Sequence, residues 1–324
     1  MKNIDIFVTL GPSSLNKKFL NFVKGKAALV RLNMSHVNLK KLGEKISFIK
    51  KNCSVPICID TEGAQIRIKS NKTSSKKIKL KQKISVKKNK GSFNFYPEEV
   101  FSLLRKKDIL DVGFEGLQLK VLNKDNKKIS LICTKSGIIE NNKGVHLKNR
   151  KINLNFVTKK DLEAIKIAKK FKIKNFALSF TNSKKDMDKF CKLLPKENKY
   201  FKIETSNGLK SLDSFFKREK NFLIDRGDLS KDISIELIPV AQRQITKLGK
   251  KKNKNIFVAT NFLESMLLNN LPTRGEVNDI YNTLEIGAKG LVLAAETAVG
   301  KFPVECVLII KKIMKTFNRA SKNF

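Results

Sequence analysis

Short apolar, β-rich runs alternate with helix-like runs along nearly the whole chain, and this alternation constrains the fold more than any other feature. The apolar runs fall at residues 5–10, 28–32, 56–60, 175–180, 200–204, 221–225, 255–260 and 290–294. Several are almost wholly apolar, the pattern of strands buried on both faces. Residues 16–24, 39–51, 159–170, 183–193, 208–218, 239–251 and 274–286 suit helices. A last helix is predicted over 303–319, with Pro303 at its start and Val307, Ile310, Met314 and Phe317 at helical spacing. Eight strands, each with a following helix, is the count of an α/β protein of the (β/α)8 TIM barrel class.

The third unit is interrupted. Ile78, Leu80, Ile84 and Val86 alternate with lysines, as in a half-exposed strand, and 117–122 and 128–134 read as further strands. The expectation is a small β-rich lid domain, residues 68–153, inserted after barrel strand three, with 1–67 and 154–324 forming the barrel. The Lys-dense stretch 69–90 reads as a solvated strand face, with an anion-binding face as the alternative.

Charge narrows the function classes. The chain carries 68 Lys plus Arg against 29 Asp plus Glu, a net +39. Nucleic-acid binding is the first thought. Nearly all of that charge is lysine, however, and the few arginines are scattered. Base reading favours arginine, and single-strand binding needs aromatics beside basic residues. Neither pattern is present, so nucleic acid is disfavoured as a partner. A positive field would still concentrate small polyanions. The five cysteines show no CxxC spacing and there are only two histidines, which argues against a zinc site or a disulfide framework. No apolar leader and no run of 18 or more apolar residues occurs, so a cytoplasmic protein is expected.

Barrel active sites lie at the C-terminal ends of the strands. Polar residues gather at those ends: Thr9, Asn33, Ser35, Asp60, Thr61, Ser179, Lys202, Glu204, Asp225, Asp228, Thr260, Glu296 and Thr297. Lys202 and Glu204 are alternate residues of one strand and face the same side. Asp228 lies just past the next strand. If the two strands are parallel neighbours, two carboxylates share one site with one ammonium. Like charges repel there unless a cation joins them. Two carboxylates plus substrate oxygens is a usual way to hold Mg²⁺. The lysine adds positive charge for an anionic substrate or transition state. The plainer alternatives are a strand ion pair for Lys202 and Glu204 and a structural hydrogen bond for Thr260. Asp225 reads either as a metal ligand or as a partner for Arg226.

These strand-end segments resemble those of the pyruvate kinase family. The motifs that carry the resemblance are Thr9-Leu-Gly-Pro-Ser-Ser14, Arg31-Leu-Asn-Met-Ser-His36, Asp60-Thr-Glu-Gly-Ala-Gln-Ile-Arg67, Lys143-Gly-Val-His-Leu147 and Thr158-Lys-Lys-Asp161. Lys202-Ile-Glu204, Asp225-Arg-Gly-Asp-Leu229, Ala259-Thr-Asn-Phe-Leu-Glu-Ser-Met266, Pro272-Thr-Arg-Gly-Glu276 and Glu296-Thr-Ala298 follow in the family's order. The resemblance implies the glycolytic transfer of phosphate from phosphoenolpyruvate to ADP, giving pyruvate and ATP. It implies Mg²⁺ or Mn²⁺ on Glu204 and Asp228, and K⁺ on Asn33, Ser35, Asp60 and the Thr61 carbonyl. Lys202 would stabilise the transferring phosphoryl group, Arg31 and Arg67 would contact phosphate oxygens, and Thr260 would lie near the enolate carbon. Gly227 and Asp228 would border the substrate, and His36 and Lys143 would approach the nucleotide. A monomer or homodimer is expected, because the chain ends after the eighth helix, where the family usually adds a C-terminal domain.

The sequence departs from the family pattern at several of these places. Glu62 stands for a Lys, Gln65 for a Glu linked to K⁺ dependence, Val37 for a Gly and Asn182 for an Arg. Asp225 stands for an Ala beside the oxoacid pocket, and Ala294 and Ala295 stand for Ser and Gly. They keep open a paralogue acting on another oxoacid or enol phosphate. The charge keeps open a non-catalytic binding protein.

Overall fold

The computed structural model of the chain describes residues 4–70, 75–88, 93–113 and 116–323. Eight parallel strands close into a barrel: β1 (Asp5–Thr9), β2 (Leu29–Asn33), β3 (Ile57–Asp60), β4 (Asn175–Leu178), β5 (Asn198–Ile203), β6 (Asn221–Asp225), β7 (Asn255–Ala259) and β8 (Gly290–Leu293). Each pairs with the strands before and after it, and β8 closes on β1 with Asp5 opposite Gly290. The helices that return the chain are α1 (Lys17–Phe22), α2 (Leu42–Asn52), α3 (Lys159–Lys170), α4 (Lys184–Leu193), α5 (Leu212–Arg218), α6 (Ile238–Lys251), α7 (Arg274–Glu285) and α8 (Pro303–Asn323). The (β/α)8 class expected from the alternation is the one observed. The helix predicted over 208–218 is broken in two, a short turn at Ser206–Lys210 preceding α5.

Strand residues alternate between faces, so every second one points into the barrel. Phe7, Leu29, Cys58, Ala177, Leu223, Phe257 and Val292 form a buried inner layer with Tyr200 packed on it. Phe7 stacks on Phe257 with ring centroids 4.5 Å apart, and Tyr200 meets both edge-on at 5.5 Å. Burying each such side chain contributes about 1.5–3 kcal/mol. Two residues further along six of these strands stand Thr9, Arg31, Asp60, Ser179, Lys202 and Asp225. All six are buried. A polar layer therefore rests on the apolar one, at the C-terminal ends of the strands.

Two compact units divide the chain: Met1–Gly63 with Lys159–Phe324, and Ala64–Thr158. The second is an antiparallel β unit. Its larger sheet runs, in spatial order, Lys83–Lys87, Lys128–Lys135, Leu117–Lys124, Ile109–Val112, Gly144–Leu147, Ile66–Ser70 and Phe93–Tyr96. Lys76–Ile78 and Gly137–Ile139 form a smaller sheet. Its own core includes Ile68, Ile78, Val86, Leu119, Leu131 and Val145. The single strand read through 78–86 is instead two strands. Lys81 turns at φ +62°, and Leu80 is left exposed. Residues 71–74 and 89–90 of the Lys-dense stretch lie outside the described residues. Among the described residues no helix is long and apolar enough to cross a membrane.

Candidate active site at the C-terminal ends of the barrel strands

The site is built on Lys202, which is 3% exposed. Its Nζ lies 2.8 Å from Glu204 Oε1, 3.3 Å from Asp225 Oδ2 and 3.4 Å from Asp60 Oδ2. It also donates to Ser179 Oγ at 3.2 Å. Arg31 reaches the same cluster, its Nη1 3.0 Å from Asp60 Oδ2 and its Nε donating to Thr9 Oγ1 at 3.0 Å. Register explains the convergence: Arg31 is opposite Cys58, Asn33 opposite Asp60, and Lys202 opposite Leu223. Three carboxylates thus share two buried cations, leaving an excess of negative charge.

That imbalance shows in the titration of the groups. Burial alone would depress the Lys202 ammonium, but Asp60, Glu204 and Asp225 outweigh it and hold the group above its ordinary range. Burial pushes the Glu204 carboxyl up to about 8, against the pull of Lys202 and with Asp225 and Asp228 adding to it. Burial would also raise Asp225, yet Lys202 and then Arg31 draw it below the usual carboxylate range. The cluster keeps Lys202 charged and makes Glu204 the carboxylate that most needs a cation.

The donor set fits a hard divalent ion. One oxygen from each of Glu204, Asp225 and Asp228 lies within 4.8 Å of the other two. Glu204 Oε1 and Asp225 Oδ1 are buried and accept no well-aligned hydrogen bond. An all-carboxylate oxygen set suits Mg²⁺ or Mn²⁺. The four residues assigned to a monovalent ion are different. Asn33 Oδ1 accepts from Ser35 N, the Thr61 carbonyl from Ser179 Oγ, and Asp60 from Arg31, Lys202 and Ser179. None of their side-chain oxygens is orphaned.

The surrounding loops are held tightly. Thr260 leaves β7 at φ +72°, and Asn261 follows at +58°, a left-handed pair that a β-branched residue enters only under constraint. Thr260 Oγ1 accepts from Gly227 N at 2.8 Å, and the Arg226 guanidinium donates through Nε to the Thr260 carbonyl at 3.1 Å. Arg226 is itself fixed by Asp279 at 2.7 Å. Phe180, at φ +52°, gives its N–H to Glu204 Oε2. Asp161, fully buried, accepts from Glu62 N and Gly63 N and so fixes the chain just after β3. Gly63 must be glycine, since a Cβ there would lie 2.5 Å from the Ser179 carbonyl at φ +68°. The Glu62 carboxylate, reversed in sign from the family pattern, is matched by Lys160 at 2.8 Å.

The structure brings Arg31, Asp60, Lys202, Glu204 and Asp228 to one end of the barrel, with Thr260 and Gly227 bonded to each other beside them. Asn33, Ser35 and Thr61 cap the adjoining strands. His36 is exposed on the turn after β2, its N–H donating to the Asn33 carbonyl. Arg67 and Lys143 belong to the second unit, where Arg67 Nη1 donates to the Asn142 carbonyl at 3.0 Å and Lys143 lies 3.2 Å from Glu140. Two further contributors, Ser179 and Glu296, belong to the ring of polar strand-end residues read from the sequence, without an individual role there. Ser179 stands between Lys202, Asp60 and Thr61, and its place two residues after inward Ala177 is the available signal. Glu296 accepts from Phe262 N and Ala294 N and anchors the loop after β7.

Fold and site together define a (β/α)8 protein with a buried acidic centre at the C-terminal strand ends. The family model for "Pyruvate kinase, barrel domain" matches residues 1–307. A pyruvate kinase of Methanocaldococcus jannaschii is 30% identical across 100% of this chain and 71% of its own length. That of Thermotoga maritima is 31% identical over 97% of this chain and 71% of its own. That of Chlamydia muridarum is 28% identical over 96% and 68%. The chain belongs to the pyruvate kinase family.

Proposed function

We propose that the chain transfers the phosphoryl group of phosphoenolpyruvate to ADP. The observation that carries the reading is the Lys202 ammonium, buried and held charged among Asp60, Glu204 and Asp225, with Arg31 on the same cluster. Phosphoryl transfer asks mainly for positioning and for positive charge spread over the moving oxygens. Lys202 and Arg31 provide fixed charge that needs no rearrangement during the reaction. Glu204 and Asp228 would hold a divalent ion, which when bound would supply further positive charge to the phosphate oxygens. The P–O bond to the enol oxygen breaks and one to the terminal oxygen of ADP forms. The enolate left behind takes a proton from water on its carbon, beside Thr260 in this reading. Arg67, His36 and Lys143 are proposed nucleotide contacts.

Purified protein with phosphoenolpyruvate, ADP and Mg²⁺ should form pyruvate. A Lys202→Met variant should fall by at least about a hundredfold, the scale of losing one preorganised electrostatic contact. Pyruvate no higher than in that variant would exclude the reading. A second reading, action on a different oxoacid or enol phosphate, is favoured by the Asp225 carboxylate in the same cluster. It predicts that Asp225→Ala with Ala294→Ser raises pyruvate formation.

A further inference from the structure

Asp225 is the member of the acidic centre that charge pairing does not fully explain. Its Oδ2 faces Lys202 Nζ at 3.3 Å. Its Oδ1 is buried and accepts no well-aligned hydrogen bond. The neighbouring Arg226 does not take it. That guanidinium is on the Thr260 carbonyl, Gln242 and Asp279. Glu204 divides its oxygens in the same way. Oε2 holds the Phe180 N–H, while Oε1 faces Lys202 without a well-aligned hydrogen bond. Lys202 is shared among Asp60, Glu204 and Asp225; buried oxygens left without a well-aligned hydrogen bond are costly, and two of them in one cluster point to a further cation. The spacing agrees. Oxygens sharing one six-coordinate ion at roughly 2.1 Å stand about 3 to 4.2 Å apart. One oxygen each from Glu204, Asp225 and Asp228 lies within 4.8 Å of the others.

We infer that Asp225 is a third protein ligand of the divalent cation, so that the free protein holds the ion through three carboxylates before any substrate arrives. The inference rests on the metal reading proposed above and adds one ligand to it. A site with two protein carboxylates depends on substrate oxygens to complete it. A third carboxylate adds charge and chelation, which raise affinity for a hard cation. It also takes one coordination position that a substrate oxygen would otherwise fill. Asp225 is then a specificity determinant, favouring substrates that offer the metal fewer anionic oxygens.

The test uses Mn²⁺ alone, with the full chain and no phosphate or oxoacid present. Free Mn²⁺ is followed by electron paramagnetic resonance during titration, for the wild type and for Asp225→Asn and Asp225→Ala. The wild type should take up one ion. Both variants should bind it about tenfold or more weakly. Solvent-proton relaxation should report an additional water on the bound ion in the variants. Thermal unfolding without metal establishes that each variant is folded. The wild-type titration stands on its own if neither is. Uptake by the wild type only when phosphoenolpyruvate is added would overturn the inference. So would equal affinity, within twofold, in folded variants. Pyruvate formation is scored separately. A protein that makes pyruvate with unchanged Mn²⁺ affinity in the variants keeps the proposed function and loses the third ligand. One that binds Mn²⁺ through Asp225 but makes no pyruvate does the reverse.

Discussion

Lys202 has three carboxylate partners within 3.4 Å and almost no solvent. Removing it would leave Asp60, Glu204 and Asp225 facing one another with only Arg31 as a buried counter-charge. Breaking a buried ion pair from one side costs about 3–5 kcal/mol. Lys202→Met should therefore lose that order of stability in urea without divalent metal, and roughly 10 mM Mg²⁺, chosen to saturate the site, should return more of it than in the wild type. An unchanged midpoint would show that the cluster is solvated rather than buried. The cluster is only partly legible in the sequence, for a physical reason. Alternation on one strand puts Lys202 beside Glu204 whatever the rest of the fold does. Asp225 obeys the same rule, two residues after inward Leu223, but a strand-end Asp beside an Arg suggests a local pair. The structure gives Arg226 to Asp279 instead, 53 residues on, and no local pattern announces a partner that distant.

The strands are legible because their middles are apolar on both faces, and they blur where the site begins. The runs 175–180 and 255–260 read as continuous strand, yet β4 stops at Leu178 and β7 at Ala259. Phe180 and Thr260 then turn left-handed, one to give its N–H to Glu204 and the other to present its hydroxyl to Gly227. Propensity favours strand at both; tertiary hydrogen bonds decide otherwise. The second unit is less legible because its strands are half-exposed, so alternation with lysine carries through the turn at Lys81. Helix ends follow local chemistry more closely, and α7 offers a test. Thr273 caps Glu276 N, while the Glu276 carboxylate accepts from Thr273 N and from Ser265 N, each at 2.7 Å. Burial would raise that carboxyl, but the bonds from Ser265 and Thr273 outweigh it and hold it below the usual range. A depressed folded pKa contributes stability above the unfolded value, about 4.3, and loses it as pH falls through the folded one. Glu276→Gln should cost about 1–2 kcal/mol at pH 7. The gap should narrow toward pH 3, and urea unfolding at the two pH values that gives a constant gap would contradict the assignment.

Charge dominates at the scale of the whole molecule. The net +39 comes almost wholly from lysine, while the buried centre at the barrel's C-terminal end is acidic. A small anion therefore approaches through a broadly positive field and finds the negative groups only where Lys202, Arg31 and a divalent ion would screen them. Such a field raises encounter rates for polyanions. It is screened within about 8 Å at 0.15 M salt, against about 30 Å at 0.01 M. The proposed substrates each carry several negative charges, so kcat/KM should fall several-fold as ionic strength is raised from about 0.01 to 0.3 M with tetramethylammonium chloride at fixed K⁺. The fall should lie mostly in KM, since the buried contacts that govern the chemical step are screened least. Equal activity across that range, measured at fixed free Mg²⁺, would mean that the lysines serve solubility and not capture. The same series with random duplex DNA separates this from nucleic-acid binding. Retention of DNA at about 0.15 M salt with a steep dependence on salt would indicate many phosphate contacts. Scattered arginines without interleaved aromatics predict no base-specific or single-strand binding, and no retention of duplex is expected at that salt. The field of this molecule is thus expected to act on rate and on small anions, with selectivity left to the acidic centre at the strand ends.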